Sequence, residues 1–188
     1  MQQVTDTIEH YSLEEYIHLD ETGMLRHEYY YGKLFAMPGE TLLHNEVCIR
    51  VLMLLTTLLQ PKGWKTYIES VKVKIENEDI FLYPDIVVMR PAEEVVHANK
   101  NYIIHQPSLI AEVLSDSTRK YDLTDKFVQY QKISSLRYYL LIEAEKHVII
   151  FYEKDESGEW SGKTFTEMDE VISFPFFQSQ LTLADIYS

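Results

Sequence analysis

Two runs of strand-forming residues each carry an acid among apolar neighbours, and that pattern narrows the possible folds. Pro84-Asp85 heads the run Ile86-Val87-Val88-Met89, and Glu112 interrupts Leu109-Ile110-Ala111-Glu112-Val113-Leu114. A nearly continuous apolar run marks a central strand covered on both faces. The chain therefore predicts a mixed α/β domain with a central mixed sheet flanked by helices. A carboxylate inside such a strand is costly to bury unless its charge is compensated. Two of them on adjacent strands would make a hard, oxygen-rich pocket of the kind divalent cations occupy.

The predicted elements set those strands in order. Ser12-Leu13-Glu14-Glu15 has capping-box spacing and opens a helix to about Leu19. Glu28 to Ala36 reads as an aromatic hairpin turning near Gly32. Val47, Val51, Leu54, Leu55 and Leu58 recur at helical spacing and give a long helix, from about Leu42 to Gln60, a buried face. Pro61-Lys62-Gly63 stops it. A strand follows from Trp64 to Tyr67, and Val71, Val73 and Ile75 alternate with Lys72 and Lys74 as a half-exposed strand. The apolar strand is expected to run unbroken from Phe81 to Met89, with a flexible loop from Arg90 to Gln106. Asp122 is placed to cap a helix from Leu123 to about Lys132. Tyr138 to Glu143 and His147 to Glu153 form a second hairpin, and Trp160 to Phe165 adds another strand.

A chain of 188 residues is most simply one domain, spanning 1–188, with room for a substantial core. No apolar run reaches the roughly 18–20 residues that cross a bilayer; Val47 to Leu59 is broken by Arg50 and reads as a core helix. The first residues lack the layout of a secretory signal. The single cysteine, Cys48, excludes an internal disulfide and reads as a core filler, which makes a reducing cytoplasm the expected setting. A net charge of −13 argues against indiscriminate coating of nucleic acid, whose affinity comes from counterion release. Screening over about 8 Å still permits a local basic rim. Its candidates are Lys62, Lys65, Lys72, Lys74, Arg119, Lys120, Lys126 and Lys132, although the plainer reading makes most of them solvated lysines.

With Asp85 and Glu112 on neighbouring strands, both carboxylates sit at one sheet edge, enough for a magnesium ion that keeps several waters. Such an ion lowers the pKa of bound water and neutralises charge on a phosphoryl oxygen. Lys126, on the helix after Glu112, supplies a cation for the developing charge. Phosphodiester hydrolysis uses all three.

These residues resemble the PD-(D/E)XK nuclease superfamily and, within it, the Uma2 family of restriction-endonuclease-like proteins. The resemblance covers nearly the whole chain. Glu28-Tyr29-Tyr30-Tyr31-Gly32-Lys33-Leu34 is similar to that family's opening segment, and His44 to the histidine starting its long helix. Tyr83-Pro84-Asp85-Ile86-Val87-Val88 is similar to its "PD" strand, and Glu112-Val113-Leu114-Ser115 to its "E-V-L-S" segment. Asp122 through Lys126 to Tyr130 resembles the helix that follows, and Ser135 to Ile142 the next strand. The superfamily places a lysine where this chain has Leu114; in this family it is moved to the following helix, which points to Lys126. The resemblance implies a restriction-endonuclease-like core and cleavage of DNA with Mg2+ or Mn2+ by a homodimer. Asp85, Glu112 and Lys126 would be catalytic, with Asp85 and Glu112 as metal ligands and Glu28 and His44 in supporting roles.

Blander readings use the same residues. Asp85 serves equally as a turn residue after proline, and Glu112 with Lys126 as a structural ion pair. Glu28 reads as a hairpin residue and His44 as a surface histidine. Glu69, Asp122 and Asp125 are acids that steer a metal or merely cap and solvate, and Tyr130 reads as packing. The seven histidines have no i, i+4 spacing on one helix, so zinc is not expected. Taken together these define the competing function, a catalytically inactive binding or assembly module on a nuclease fold. The aromatic hairpins and terminal strands are the expected dimer surfaces.

Overall fold

A computed structural model describes residues 10–23, 25–37, 39–69, 71–90, 103–115 and 118–188. Helix α1 (Leu13–Thr22) starts on a capping box in which Ser12 and Glu15 bond each other's backbone, and it ends one turn later than expected. The hairpin β1 (His27–Tyr30) and β2 (Lys33–Ala36) turns through Tyr31 and Gly32, at φ 44° and 89°. Two left-handed residues match the twist of a tight hairpin. A Cβ on Gly32 would also fall 2.4 Å from the His10 ring.

Helix α2 (Leu42–Leu59) is capped by Thr41, whose hydroxyl accepts from the His44 amide at 3.1 Å. A 3₁₀ turn, Gln60–Lys62, and a left-handed Gly63 end it. Strands β3 (Lys65–Ile68), β4 (Lys72–Lys74), β5 (Ile80–Leu82) and β6 (Ile86–Met89) follow. The strand expected over 81–89 is thus two strands. Pro84 has no amide to donate to a ladder, and at Tyr83-Pro84-Asp85 the chain passes from one sheet to another.

The first sheet has the order β2-β1-β5-β4-β7, where β7 is Ile103–Ile104. Those two residues correct the loop expected over 90–106; residues 91–102 of that loop lie outside the described residues. The second sheet has the order β11-β10-β9-β8-β6-β3, with β8 (Leu109–Leu114), β9 (Tyr138–Glu143), β10 (Ile149–Lys154) and β11 (Trp160–Phe165). Within it only β8 and β9 run parallel, and a crossover helix joins them. Strands β12 (Val171–Phe174) and β13 (Ser179–Thr182) make a separate hairpin before a last helix, Leu183–Tyr187.

Alternation along the six-stranded sheet builds a core on each side. Ile86, Val88, Ala111, Val113, Leu140 and Ile142 pack with Val47, Val51 and Leu55 of α2 and with the C-terminal elements. Val87, Ile110, Leu114, Tyr139 and Leu141 face the other way, onto Val73, Ile80, Leu82 and Tyr130. Glu112 has the parity of this second set, so its position in the strand aims it at the crossover helix.

Candidate active site

Three pieces of chain meet where the two sheets exchange the backbone. Asp85 lies one residue outside the Ile86–Ala111 pair of β6 and β8, which brings it beside Glu112. The two are laced together: the Asp85 amide donates to Glu112 Oε2 at 3.1 Å, and the Val113 amide donates to Asp85 Oδ2 at 2.7 Å.

Lys126 arrives from the crossover helix, which starts earlier than expected and changes pitch. It runs as α3 (Arg119–Tyr121), a π-helical stretch Asp122–Lys126 and α4 (Phe127–Tyr130). Asp122 is therefore inside the helix and caps nothing. Its side chain is buried 3.1 Å from Lys126 Nζ, while the Tyr139 hydroxyl donates to its backbone carbonyl at 2.9 Å. Single π turns inside α-helices occur often at functional sites, and this one turns Asp122 and Lys126 toward the same interior.

The Lys126 ammonium lies 3.1 Å from Glu112 Oε1 and 3.7 Å from Glu28 Oε1. Tyrosine hydroxyls complete the carboxylates: Tyr130 donates to Glu112 Oε1 at 3.0 Å, and Tyr121 to Glu28 Oε2 at 2.7 Å. The Tyr83 amide also donates to Glu28, at 3.2 Å. Glu112 is 1% exposed and Lys126 5%. Burial pushes Glu112 well above the usual carboxyl range, with Lys126 opposing and Asp85 and Asp122 adding repulsion. Burial also raises Glu28, again against the pull of Lys126. Burial by itself would lower Lys126, but Glu112, Asp122 and Glu28 together outweigh it and keep the amine charged.

His44 stands on the first turn of α2, buried rather than on the surface. Its Nε2 is 3.2 Å from Asp85 Oδ2, and its Nδ1 is 3.6 Å from the Cys48 thiol. Burial would lower this histidine, and the bond to Asp85 reverses that and raises it. The thiol is itself pushed up by burial, so Cys48 serves as a neutral neighbour that orients the ring. Possible ligand atoms of His44, Cys48 and Asp85 lie within 4.8 Å of one another, a His–Cys pairing at i, i+4 that a search for paired histidines passes over.

Asp85, Glu112, Lys126, Glu28 and His44 all line one cavity of about 190 Å³. Glu40, Tyr121 and Asp122 line it as well. Glu40 and Tyr121 are not marked by any sequence pattern: one precedes the cap of α2 and the other precedes the π stretch. Five carboxyl groups thus share the cavity with one ammonium and one imidazole. That excess of negative charge, in oxygen donors, fits a hard divalent cation. Asp85 and Glu112 face this cavity side by side, where β6 begins beside β8.

Of the eight basic side chains named as rim candidates, Lys62, Lys72, Arg119, Lys126 and Lys132 have partners within the protein, while Lys65 and Lys120 are exposed. Lys62 binds the carbonyls of Phe177 and Gln178, Lys72 is buried 2.6 Å from Asp20, Arg119 pairs with Glu143, and Lys132 with Glu78. Internal partners take up long side chains that were to face a phosphate backbone. Glu69 sits beyond β3, its amide on the Asp85 carbonyl at 2.8 Å, and lines a neighbouring groove that also reaches Asp85.

Sheet order, crossover helix and acid-lined junction define a restriction-endonuclease-like α/β protein. A crystal structure from Anabaena variabilis ATCC 29413, described as "a putative nuclease belonging to DUF820", shares this fold with a TM-score of 0.76 and 20% identity, over 94% of this chain and 97% of that one. The chain belongs to the Uma2 family, described as "Putative restriction endonuclease", whose model matches residues 13–185. Two Synechocystis proteins are similar along most of their length. "Uncharacterized protein slr1290" is 30% identical over 149 residues, 79% of this chain and 77% of its own. "Uncharacterized protein sll1609" is 27% identical over 165 residues, 87% of this chain and 92% of its own.

Proposed function

We propose that this protein is a metal-dependent endonuclease that hydrolyses DNA phosphodiester bonds, acting as a homodimer. The observation that carries this reading is the junction itself, where Asp85 and Glu112 exchange backbone bonds and Lys126 lies 3.1 Å from Glu112. Asp85 and Glu112 would hold Mg2+ or Mn2+. When bound, the ion supplies an activated water and neutralises charge on a phosphoryl oxygen. Lys126 keeps a fixed positive charge at a buried position, where it stabilises negative charge developing on the phosphate. Glu28 and Asp122 hold Lys126 in place, and His44 holds Asp85. Leu114, where the superfamily has its lysine, is turned into the second core.

Purified protein with Mg2+ or Mn2+ should nick or linearise plasmid DNA. The variants Asp85→Asn, Glu112→Gln and Lys126→Met should each lower the rate by at least about a hundredfold. A contaminating nuclease would persist in all three.

A specific observation favours the competing assembly module: Glu112 and Lys126 already form a complete buried pair with Tyr130 and Asp122. Thermal shift separates the two readings. Stabilisation by Mg2+ or Mn2+ that vanishes in Asp85→Asn supports the nuclease. No stabilisation, together with intact DNA, supports the module.

A further inference from the structure

Helix α2 carries an outward face that the rest of the described chain leaves open. Leu43, Glu46, Arg50, Met53 and Thr57 follow one another at alternating three- and four-residue intervals, and all are exposed. Leu42, 86% exposed, and Ile49 widen the stripe, and Met53 is 64% exposed. The opposite face, with Val47, Val51, Leu55 and Leu59, is buried on the six-stranded sheet. Four large apolar side chains, Leu42, Leu43, Ile49 and Met53, thus stay exposed on a helix whose other face is already covered, and an exposed apolar patch of this kind marks an interaction surface. Three-four spacing is that of a seam between two helices.

We propose that this face pairs with α2 of a second copy, antiparallel about a two-fold axis near residue 48. The charges choose the direction. In the antiparallel pair Glu46 meets Arg50 of the partner subunit, and Arg50 meets the partner subunit's Glu46. In a parallel pair each would meet its own kind. The same axis sets Leu43 against the partner's Met53, at both ends of the seam. Within one chain Glu46 and Arg50 are 3.9 Å apart, an exposed pair whose exchange costs little. A two-fold seam of this type closes on itself and stops at two copies. In the first aromatic hairpin Tyr29 packs on Tyr16 and Phe81, while Tyr31 is exposed.

A lipid surface is the rival occupant, since by length and composition alone Leu42–Lys62 matches a membrane span, as core helices also do. Glu46 and Arg50 in the middle of the open face argue for the protein partner, because hydrocarbon would leave both charges unsolvated. Leu42 also lines the groove that contains Asp85 and Glu69, so the seam ends beside the candidate site. The pairing rests on the homodimer of the proposed nuclease and gives it a surface; its test reads mass and not cleavage, so the pairing and DNA hydrolysis can fail separately.

Sedimentation equilibrium of the intact chain from about 1 to 200 μM is the test. A mass near twice 22.2 kDa at the high end is expected. Met53→Glu and Glu46→Arg should each raise the dissociation constant at least tenfold. The exchange Glu46→Arg with Arg50→Glu should restore it, an outcome that a merely unfolded variant would not give. The proposal is overturned by a monomer at every concentration, by a dimer indifferent to Met53→Glu, or by a monomer that cosediments with phosphatidylcholine vesicles.

Discussion

Lys126 shares one ammonium among Glu112, Asp122 and Glu28 in a site from which water is largely excluded. Removing one partner of such a group strands the others, so the loss far exceeds the net value of the intact cluster. Lys126→Met should therefore cost about 3–5 kcal/mol in urea unfolding. Part of that loss should return as pH is lowered and the stranded carboxyls take up protons. A loss under about 1 kcal/mol would show that the amine is solvated and not embedded. The wild-type cluster has its own pH signature. Glu28 and Glu112 are raised by burial, and His44 is raised by Asp85. The folded state thus binds these protons more tightly than the unfolded chain, and stability falls as pH rises through the raised values. Glu76, which is exposed, and Glu78, which is half-buried, are lowered instead and act below the ordinary carboxyl value, outside this window. In EDTA the melting temperature should drop as pH is raised above the ordinary carboxyl range. Mg2+ should lift it more at the upper end, because metal binding displaces those protons. A melting temperature that rises across the window in EDTA would contradict the assignment.

At the scale of elements, the acids were readable and their supports were not. A carboxylate between Ala111 and Val113 demands a partner wherever it occurs, so Glu112 stands out in the chain itself. The split of the 81–89 run does not, because Phe81, Leu82 and Ile86 are equally apolar in one strand or two. Only Pro84, which cannot join a ladder, hints that the chain changes sheets there. The crossover helix hid its pitch for a similar reason. A π turn shifts the residues on one face without changing composition, so Asp122 looked like a cap when it is an interior partner of Lys126. Tyr139 holds that turn through the Asp122 carbonyl, from a strand whose aromatic residues all read as core. Tyr139→Phe should cost about 1 kcal/mol from the lost hydrogen bond. If the turn positions Lys126, DNA cleavage should fall by more than that loss of stability explains, with the change in kcat and not KM. Equal activity in a folded Tyr139→Phe protein would leave the hydroxyl a purely structural role.

Across the whole molecule, periodicity reveals the layers well. Alternation in β6, β8 and β9 and the 3.6-residue repeat of α2 are enough to place a sheet between two cores. Charge was less informative: several of the lysines that suggested a basic rim find partners far away in sequence, as Lys62 does at Phe177 and Lys132 at Glu78. Such pairings depend on how elements close on one another and leave no local pattern. What the closed fold adds is an acid-rich cavity at the exchange of backbone between two sheets. The claim that this cavity is a metal centre is tested most directly by anomalous diffraction from a crystal soaked in Mn2+. One peak between the Asp85 and Glu112 carboxylates, absent in Asp85→Asn, is the expected result. A soaked crystal in which Lys126 still spans Glu112, with no peak in the cavity, would contradict it.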